Sequence, residues 1–158
     1  MSWREGGLGE LPKKLSLDTS VLVEYIVRSA PYRGKVAELL EKAAKEDLTL
    51  YVSSPVLSET LYIASRIYEA AGEENPNERA LEYIYWLKER VKVVDANEDL
   101  AIRAGELKKR LGIALTDCYV IATAETVKAT PLFRRIEKEM EPVLTELRRY
   151  NVTFLEEV

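Results

Sequence analysis

The sequence predicts an α/β fold, a three-layer α/β/α sandwich around a mainly parallel central sheet. Short apolar, β-rich segments alternate along the chain with longer segments whose apolar residues recur at helical spacing. A chain of 158 residues, 47% hydrophobic and 32% charged, fits one soluble domain with a sizeable core. Residues 14–158 are assigned to that domain. Residues 1–13, which are rich in glycine and lack the apolar stretch of a signal peptide, are assigned to a flexible leader.

The pattern of each segment gives the predicted elements in order. They are a strand at residues 15–17, helices at 19–26 and 36–43, a strand at 49–52, helices at 54–72 and 76–87, a strand at 91–94, helices ending at 112 and near 128, a strand at 130–133, a helix at 137–150 and a strand at 152–155. Side-chain oxygens that satisfy the free amides of a first turn predict where helices begin. The predicted N-caps are Thr19 or Ser20, Ser54 with Pro55 at the first helical position, Asp95 or Asn97, and Thr116.

Three carboxylates stand where the sequence predicts the opening turn of a helix: Asp18, Glu59 and Asp117. Asp18 and the turn at residues 53–59 directly follow strands, so both are expected at the carboxyl edge of the sheet, where parallel α/β folds bind ligands. Asp117 follows a helix, and its place beside them is an inference. The chain contains no histidine, which removes the usual general base near neutral pH and the commonest nitrogen ligand for zinc. Oxygen ligands in one pocket instead suit Mg²⁺ or Mn²⁺ and indicate metal-assisted chemistry on phosphates.

Each acid also has a purely structural interpretation. Asp18 is placed to cap a helix, and Glu59 and Asp117 are placed to complement a helix dipole. However, Thr19 and Ser20 can cap the first helix equally well, which leaves Asp18 for another role. Glu59 and Asp117 lie on or beside apolar helical stripes, and buried acids are seldom left unpaired. Clustered carboxylates repel by roughly 4 kcal/mol per pair near 4 Å at an effective dielectric constant of 20, so a fold tolerates them mainly where a cation offsets their charge.

Three motifs around these acids carry a resemblance to a known family. They are Leu17-Asp18-Thr19-Ser20, the helix start Ser54-x-x-x-x-Glu59, and Thr116-Asp117-x-x-Ile121-Ala122-x-Ala124. Over roughly residues 14–158 the chain resembles PIN-domain ribonucleases, including VapC-type toxins. The resemblance implies a metal-dependent endoribonuclease in which Asp18 and Asp117 hold the principal Mg²⁺ or Mn²⁺, and Glu59 holds a second ion or orients water. Ser20 and Thr116 are expected to hydrogen-bond these ligands or the scissile phosphate.

The fourth acid of that family is altered in this chain. The family usually has a Thr-x-Asp-x-Asp-Phe-like pattern after the next strand, whereas residues 134–140 read Arg-Arg-Ile-Glu-Lys-Glu-Met. Glu137 and Glu139 can be laid over the two aspartates. Glu137 is preferred as the fourth carboxylate, placing metal or water, because it aligns with the first of them. The alternative interpretation is a solvated run of helical charge.

Partners and setting follow from the resemblance and from composition. RNA is the expected substrate, although the net charge of −4 argues against a surface coated with positive charge. If the chain is a toxin, a small antitoxin is expected to insert a peptide into the acidic site. A lone cysteine and the lack of an apolar run of about 20 residues predict a cytoplasmic protein without membrane association.

A homodimer is also predicted, because two helices carry apolar side chains over more of their surface than one buried face can hide. Its interface would include Tyr62, Arg66 and Tyr68 of one helix and Tyr83, Tyr85 and Trp86 of the next.

Two other functions stay open. One is a catalytically weak PIN-like RNA-binding or scaffold domain, and the other is a phosphatase with Asp18 as nucleophile. The phosphatase chemistry commonly needs a second aspartate two residues on, where this chain has Ser20.

Overall fold

The predicted three-layer α/β/α sandwich is confirmed in a computed structural model that describes residues 11–158. Residues 1–10, which form most of the predicted leader, lie outside the described residues. The strands are β1 (Lys14–Leu17), β2 (Thr49–Ser53), β3 (Lys92–Val94), β4 (Thr130–Phe133) and β5 (Thr153–Phe154). The α-helices are α1 (Thr19–Glu24), α2 (Arg33–Ala44), α3 (Ser54–Ala70), α4 (Pro76–Lys88), α5 (Glu98–Leu111), α6 (Leu115–Val127) and α7 (Leu144–Arg149). None of these helices has the length and apolar character needed to cross a membrane.

The order of the strands creates a crevice beside β1. The sheet runs β3-β2-β1-β4-β5, and each neighbouring pair is parallel. The chain first moves outward from β1 to β3 and then returns to the other side of β1 as β4. The direction of winding therefore switches between β1 and β4, which is where open α/β sheets leave a ligand-binding crevice at the carboxyl ends of their strands. Asp18 lies at this point, and its backbone N–H donates to Leu132 O at 3.0 Å.

Helix α6 lies in the core and packs against β1, β2 and β4. Its apolar residues surround the helix rather than forming one stripe, as expected for a helix that is covered on most sides. The fully or nearly fully buried residues of its middle turns are Cys118, Val120, Ile121, Ala122, Thr123 and Ala124. This burial carries the first turn of α6, with Asp117, into the interior of the protein.

The N-caps of α3 and α6 differ from the predicted residues by one or two positions. Ser53, rather than Ser54, caps α3, and its Oγ accepts from the N–H of Val56 at 3.4 Å. Ala114 precedes α6 without a side-chain cap, so Thr116 lies inside the first turn. The hydroxyls of Ser54 and Thr116 instead bond to other segments. The Ser54 Oγ accepts from the N–H of Ala96 at 3.0 Å, and the Thr116 Oγ1–H donates to Glu59. Local sequence does not determine such a contact.

The predicted helix at residues 137–150 is wrong in form. A 3-10 helix covers Lys138–Val143, and α7 begins only at Leu144. Pro142 lies inside the 3-10 segment. Proline has no N–H and its ring collides with the preceding turn, so a continuous α-helix through this position is disfavoured.

Aromatic residues join α4 to the segment after α1. The rings of Tyr25 and Trp86 stack at a centroid distance of 5.1 Å, and Tyr83 stacks against both. Two guanidinium groups lie over rings of this cluster, with the Arg33 Cζ 4.7 Å from the centre of Tyr25 and the Arg90 Cζ 3.8 Å from that of Trp86. Tyr83 and Trp86, predicted for a dimer interface, therefore pack within the chain.

Candidate active site

Asp18 caps α1, the role predicted for Thr19 or Ser20. Those two residues already belong to the first helical turn, so the residue before them is in the capping position. The Asp18 Oδ2 accepts from the backbone N–H of Ser20 at 3.0 Å and from its Oγ–H at 2.6 Å. The Asp18 Oδ1 is buried and accepts no hydrogen bond from an amide, hydroxyl, lysine or arginine group among the described residues. A buried oxygen without a partner is unfavourable, so Asp18 has one oxygen engaged in structure and one open to a ligand.

Asp117 faces Asp18 in a shared, nearly dry environment, with only 9% and 6% of the two residues exposed. Burial, followed by the neighbouring charge of Asp18, raises the pKa of Asp117 to about 8. Contact between the two carboxyl groups and the charges of Glu59 and Glu139 act in the same direction. Burial also raises the pKa of Asp18, against the lowering effect of its hydrogen bonds from Ser20. Near neutral pH the pair therefore retains a proton unless a cation compensates its charge.

Glu59 lies beside the buried stripe of α3 and is half-buried itself. The fully buried members of that stripe are Val56, Thr60 and Ala64. The Glu59 Oε2 accepts from the Thr116 Oγ1–H at 3.3 Å, a bond that joins α3 to the first turn of α6. The charge of Glu59 raises the pKa of both buried aspartates. The structure thus brings together the three acids that the sequence singled out, with Ser20 and Thr116 each hydrogen-bonded to one of them.

The two candidates for the fourth acid have different surroundings. The Glu137 carboxylate forms an ion pair with Arg135, with 3.6 Å between Oε1 and Nε. The Glu139 carboxylate is one of the charges that raise the pKa of Asp117. The preference for Glu137 rests on alignment with a motif, and the charge of the exposed Glu139, the smallest of the effects on Asp117, makes Glu139 an alternative.

The donors present fit a hard divalent cation. All of them are carboxylate oxygens, one of which is buried without a partner, and Mg²⁺ and Mn²⁺ prefer oxygen ligands. Within residues 11–158, no three acidic or cysteine side chains are already drawn together as a metal site. The carboxyl groups of Asp18 and Asp117 are already in contact, so we expect ion binding to require chiefly a side-chain rotation of the half-buried Glu59.

Two residues beside the acids, Glu24 and Arg134, were given no role in the site from the sequence. Glu24 is only 4% exposed, and its Oε1 lies 2.7 Å from the Arg134 Nε. The backbone N–H of Arg134 donates to the Ser20 Oγ at 3.1 Å, next to Asp18. One signal for Glu24 was available, because it stands three residues after the buried Val21 and so shares its helical face. Nothing in the sequence indicated its pairing with Arg134, 110 positions later.

Comparison with known proteins agrees with this geometry. The sequence matches the family model of the PIN domain over residues 15–139, and the chain belongs to that family of nucleases. The matched range includes all the acids discussed above. The sequence has no significant match among curated proteins.

Three solved structures illustrate the similarity of the fold. VapBC2 from Rickettsia felis, bound to a promoter DNA fragment, has 23% identity and a TM-score of 0.60, with 82% of this chain and 92% of that chain covered. A toxin-antitoxin complex from Klebsiella pneumoniae has 17% identity and a TM-score of 0.57, with 92% and 99% covered. Mycobacterium tuberculosis VapC20, described as a sarcin-ricin loop cleaving toxin, has 17% identity and a TM-score of 0.57, with 74% and 85% covered.

Proposed function

We propose that this protein is a metal-dependent endoribonuclease whose site is formed by Asp18, Glu59, Asp117 and Glu139. The observation that carries the proposal is the buried aspartate pair at the switch point of the sheet. Both carboxyl groups have raised pKa values, and neither forms a salt bridge with a lysine or arginine among the described residues. A pair of buried acids without a cationic partner destabilises a protein that has no bound ligand. Because the chain belongs to the PIN family of nucleases, a metal-binding role in nucleic acid cleavage accounts for the pair.

Each residue has a distinct task in the proposed reaction. Asp18 and Asp117 would hold the principal ion, and Glu59 would hold a second ion or orient water. A bound Mg²⁺ or Mn²⁺ supplies Lewis acidity, which lowers the pKa of water and offsets negative charge on the phosphate. Ser20 fixes one oxygen of Asp18, and Thr116 positions Glu59. These hydrogen bonds hold the carboxylates in the orientation that a ligand requires.

RNA as substrate and an antitoxin as partner are supported by the structural neighbours. One neighbour is described as a toxin that cleaves the sarcin-ricin loop, and another is a toxin-antitoxin complex. We propose that this chain likewise cuts a structured RNA and is held inactive by a small partner protein whose peptide enters the acidic site.

The test of this function is cleavage of a panel of structured RNAs, including transfer RNA and ribosomal stem-loops, during titration with Mg²⁺ and Mn²⁺. Cleavage at defined positions that disappears in EDTA is the expected result. RNA that binds without being cut at any metal concentration would support the scaffold alternative. A phosphoenzyme trapped on Asp18 would instead support the phosphatase.

The position of the fourth acid gives a paired prediction. We expect Glu139→Gln to weaken metal binding and cleavage by about tenfold, because it removes a charge that acts on Asp117. The matched variant Glu137→Gln removes a carboxylate that is paired with Arg135, and we expect little change. Titration of Mn²⁺ and initial cleavage rates measure both effects. The reverse pattern would return the role to Glu137.

We also propose a homodimer, with an interface narrower than the one predicted from sequence. Tyr83 and Trp86 belong to the internal aromatic stack, whereas Tyr62 on α3 and Tyr85 on α4 are 58% and 61% exposed. Helices α3 and α4 pack on each other, so both exposed rings lie on one helical pair. Exposed aromatic side chains of this kind are typical of interfaces.

Light scattering at micromolar concentration tests the dimer. We expect a mass near twice the 18.0 kDa of the chain, which Tyr85→Glu reduces to that of a monomer. Ile102→Glu is a suitable control, because it adds the same charge at an equally exposed apolar position, 57% exposed, on α5. A monomer mass for the unmodified protein throughout a dilution series would contradict the proposal.

A further inference from the structure

A cavity of about 400 Å³ lies next to the acid cluster. Its wall is apolar where Val23, Val27, Ala30 and Pro31 line it. It is polar where Ser20, Glu24, Ser29 and Arg134 line it. Because Ser20 follows the end of β1 and Arg134 follows the end of β4, the cavity opens at the switch point of the sheet. Its volume falls within the range of about 300–1,000 Å³ typical of small-molecule sites.

Arg134 is held in this cavity by a fixed carboxylate. The Glu24 Oε1 contacts the Arg134 Nε at 2.7 Å, although the N–H direction deviates from that of a hydrogen bond. The other oxygen of Glu24 accepts from the N–H of Tyr32 at 2.7 Å, so the carboxylate is anchored on both sides. The Arg134 side chain is 25% exposed, and its Nη1 and Nη2 make no hydrogen bond within the described part of the chain. Two parallel N–H donors on one edge of a guanidinium match two oxygens of a phosphate.

One serine connects this arginine to the proposed metal ligand. The Ser20 Oγ accepts from the backbone N–H of Arg134 at 3.1 Å and donates to the Asp18 Oδ2 at 2.6 Å. Because Arg134 and Ser20 also line the same cavity, a group bound there by Arg134 lies beside the residue that is hydrogen-bonded to Asp18. In a nucleic acid strand, the neighbour of one phosphate is the next nucleotide.

We propose that this cavity is a subsite for the nucleotide adjacent to the scissile phosphate, with its base against Val23, Val27 and Ala30 and its phosphate on the Nη groups of Arg134. The inference rests on the proposed ribonuclease function. Glu24 occupies the Nε side of Arg134 and fixes the plane of the guanidinium, which makes Glu24 a positioning residue. A base that enters the cavity has left its stack, so the RNA is single-stranded or in a loop at this position.

Filling the cavity tests the subsite. In an Asp117→Asn background, which prevents cleavage, binding of a fluorescently labelled single-stranded RNA of randomised sequence is measured by anisotropy. We expect Val27→Trp to raise Kd by about tenfold or more, since the indole occupies the space of the base. Val127→Trp is the matched control at the opposite end of the sheet, where the Val127 carbonyl accepts from the Lys14 Nζ. If folded Val27→Trp and Val127→Trp bind RNA equally well, the cavity is not a nucleotide subsite, and a peptide becomes the alternative ligand.

The phosphate contact has its own measurement. The double variant Glu24→Gln with Arg134→Met removes both charges together, so no buried carboxylate is left unpaired. We expect the slope of log Kd against log salt concentration to fall in magnitude by about 0.7, the value for one phosphate contact on a single strand. Glu125→Gln with Arg103→Met, which removes a surface pair with contacts of 2.8 and 2.9 Å, is the matched control. An unchanged slope in the first double variant would contradict the role of Arg134.

Two measurements, RNA cleavage by the unmodified protein and RNA binding by the cavity variants, distinguish a wrong subsite from a wrong function. If the unmodified protein cuts RNA with Mg²⁺ while both cavity variants bind RNA normally, only the subsite is wrong. If the unmodified protein neither binds nor cuts RNA, the ribonuclease function is wrong, and the subsite is wrong with it.

Discussion

Asp117→Asn is expected to abolish metal-dependent RNA cleavage, with a loss of more than about 100-fold, while the protein remains folded. Groups that only orient metal ligands already contribute about 10–100-fold, so a ligand itself should contribute more. Asparagine has the size of aspartate but no charge, and it resembles the protonated form that burial favours at this position. Asp18→Asn is expected to have the same effect, because asparagine retains the ability to cap α1.

The matched control for these variants is Asp99→Asn, which changes an exposed acid in the first turn of α5. Cleavage rates, circular dichroism and thermal unfolding in EDTA measure the effects. If Asp18→Asn or Asp117→Asn unfolds the protein, and Mg²⁺ has no effect on the unmodified chain, these acids serve as structural caps.

The second large effect is a dependence of stability on both pH and Mg²⁺. An unfolded aspartate titrates near 3.8, whereas burial and the charge of Asp18 raise the pKa of folded Asp117 to about 8. Between these values the folded state binds a proton that the unfolded state has released. Without metal, the free energy of unfolding is therefore expected to fall as pH rises from about 4 to about 8, by up to about 1.4 kcal/mol per pH unit for one proton.

Magnesium should oppose this loss. At pH 8 the acids are available as ligands, and an ion present at 100 times its Kd adds about 2.7 kcal/mol to the free energy of unfolding. At pH 5 protons compete with the ion, so we expect a much smaller effect. Urea unfolding at both pH values, with Mg²⁺ or EDTA, measures the difference. Asp117→Asn isolates the contribution of this pair, because it should reduce both the pH slope and the response to Mg²⁺. A pH slope that is the same in the variant and the unmodified protein would exclude the pair as its source.

The parts of this structure that depend on local pattern were predictable from sequence. Apolar segments of a few residues between longer helical repeats require a sheet covered by helices, and that layout alone places Asp18 and the start of α3 at the carboxyl edge. The place of Asp117 beside the other acids was only an inference, because it depends on α6 packing against β1, β2 and β4. The resemblance of the Asp117 motif to a family supported that inference, and the electrostatic contact with Asp18 now gives it a physical basis.

Some mispredicted parts reflect local ambiguity, and others depend on contacts between distant segments. The oxygen that caps a helix was misassigned at Asp18 and Ser53, because neighbouring hydroxyls have equal local propensity. The helix predicted from residue 137 ignored Pro142. The pair of Glu24 and Arg134 joins residues 110 positions apart and has no local signature. Charged residues in sequence suggest a solvated surface, and only the fold shows which of them are buried beside the site.

The central claim is that the buried aspartate pair binds a divalent metal ion. Its most direct test is a Mn²⁺ titration at pH 8, monitored by electron paramagnetic resonance. Free Mn²⁺ gives a strong signal that weakens when the ion is bound, so the measurement requires neither a known RNA nor catalysis. The expected result is saturable binding to the unmodified protein that Mg²⁺ competes away and that Asp117→Asn weakens by at least about tenfold. Equal Mn²⁺ binding by the two proteins, or no binding by either at millimolar ion concentration, would contradict the assignment of the buried aspartate pair as a metal site.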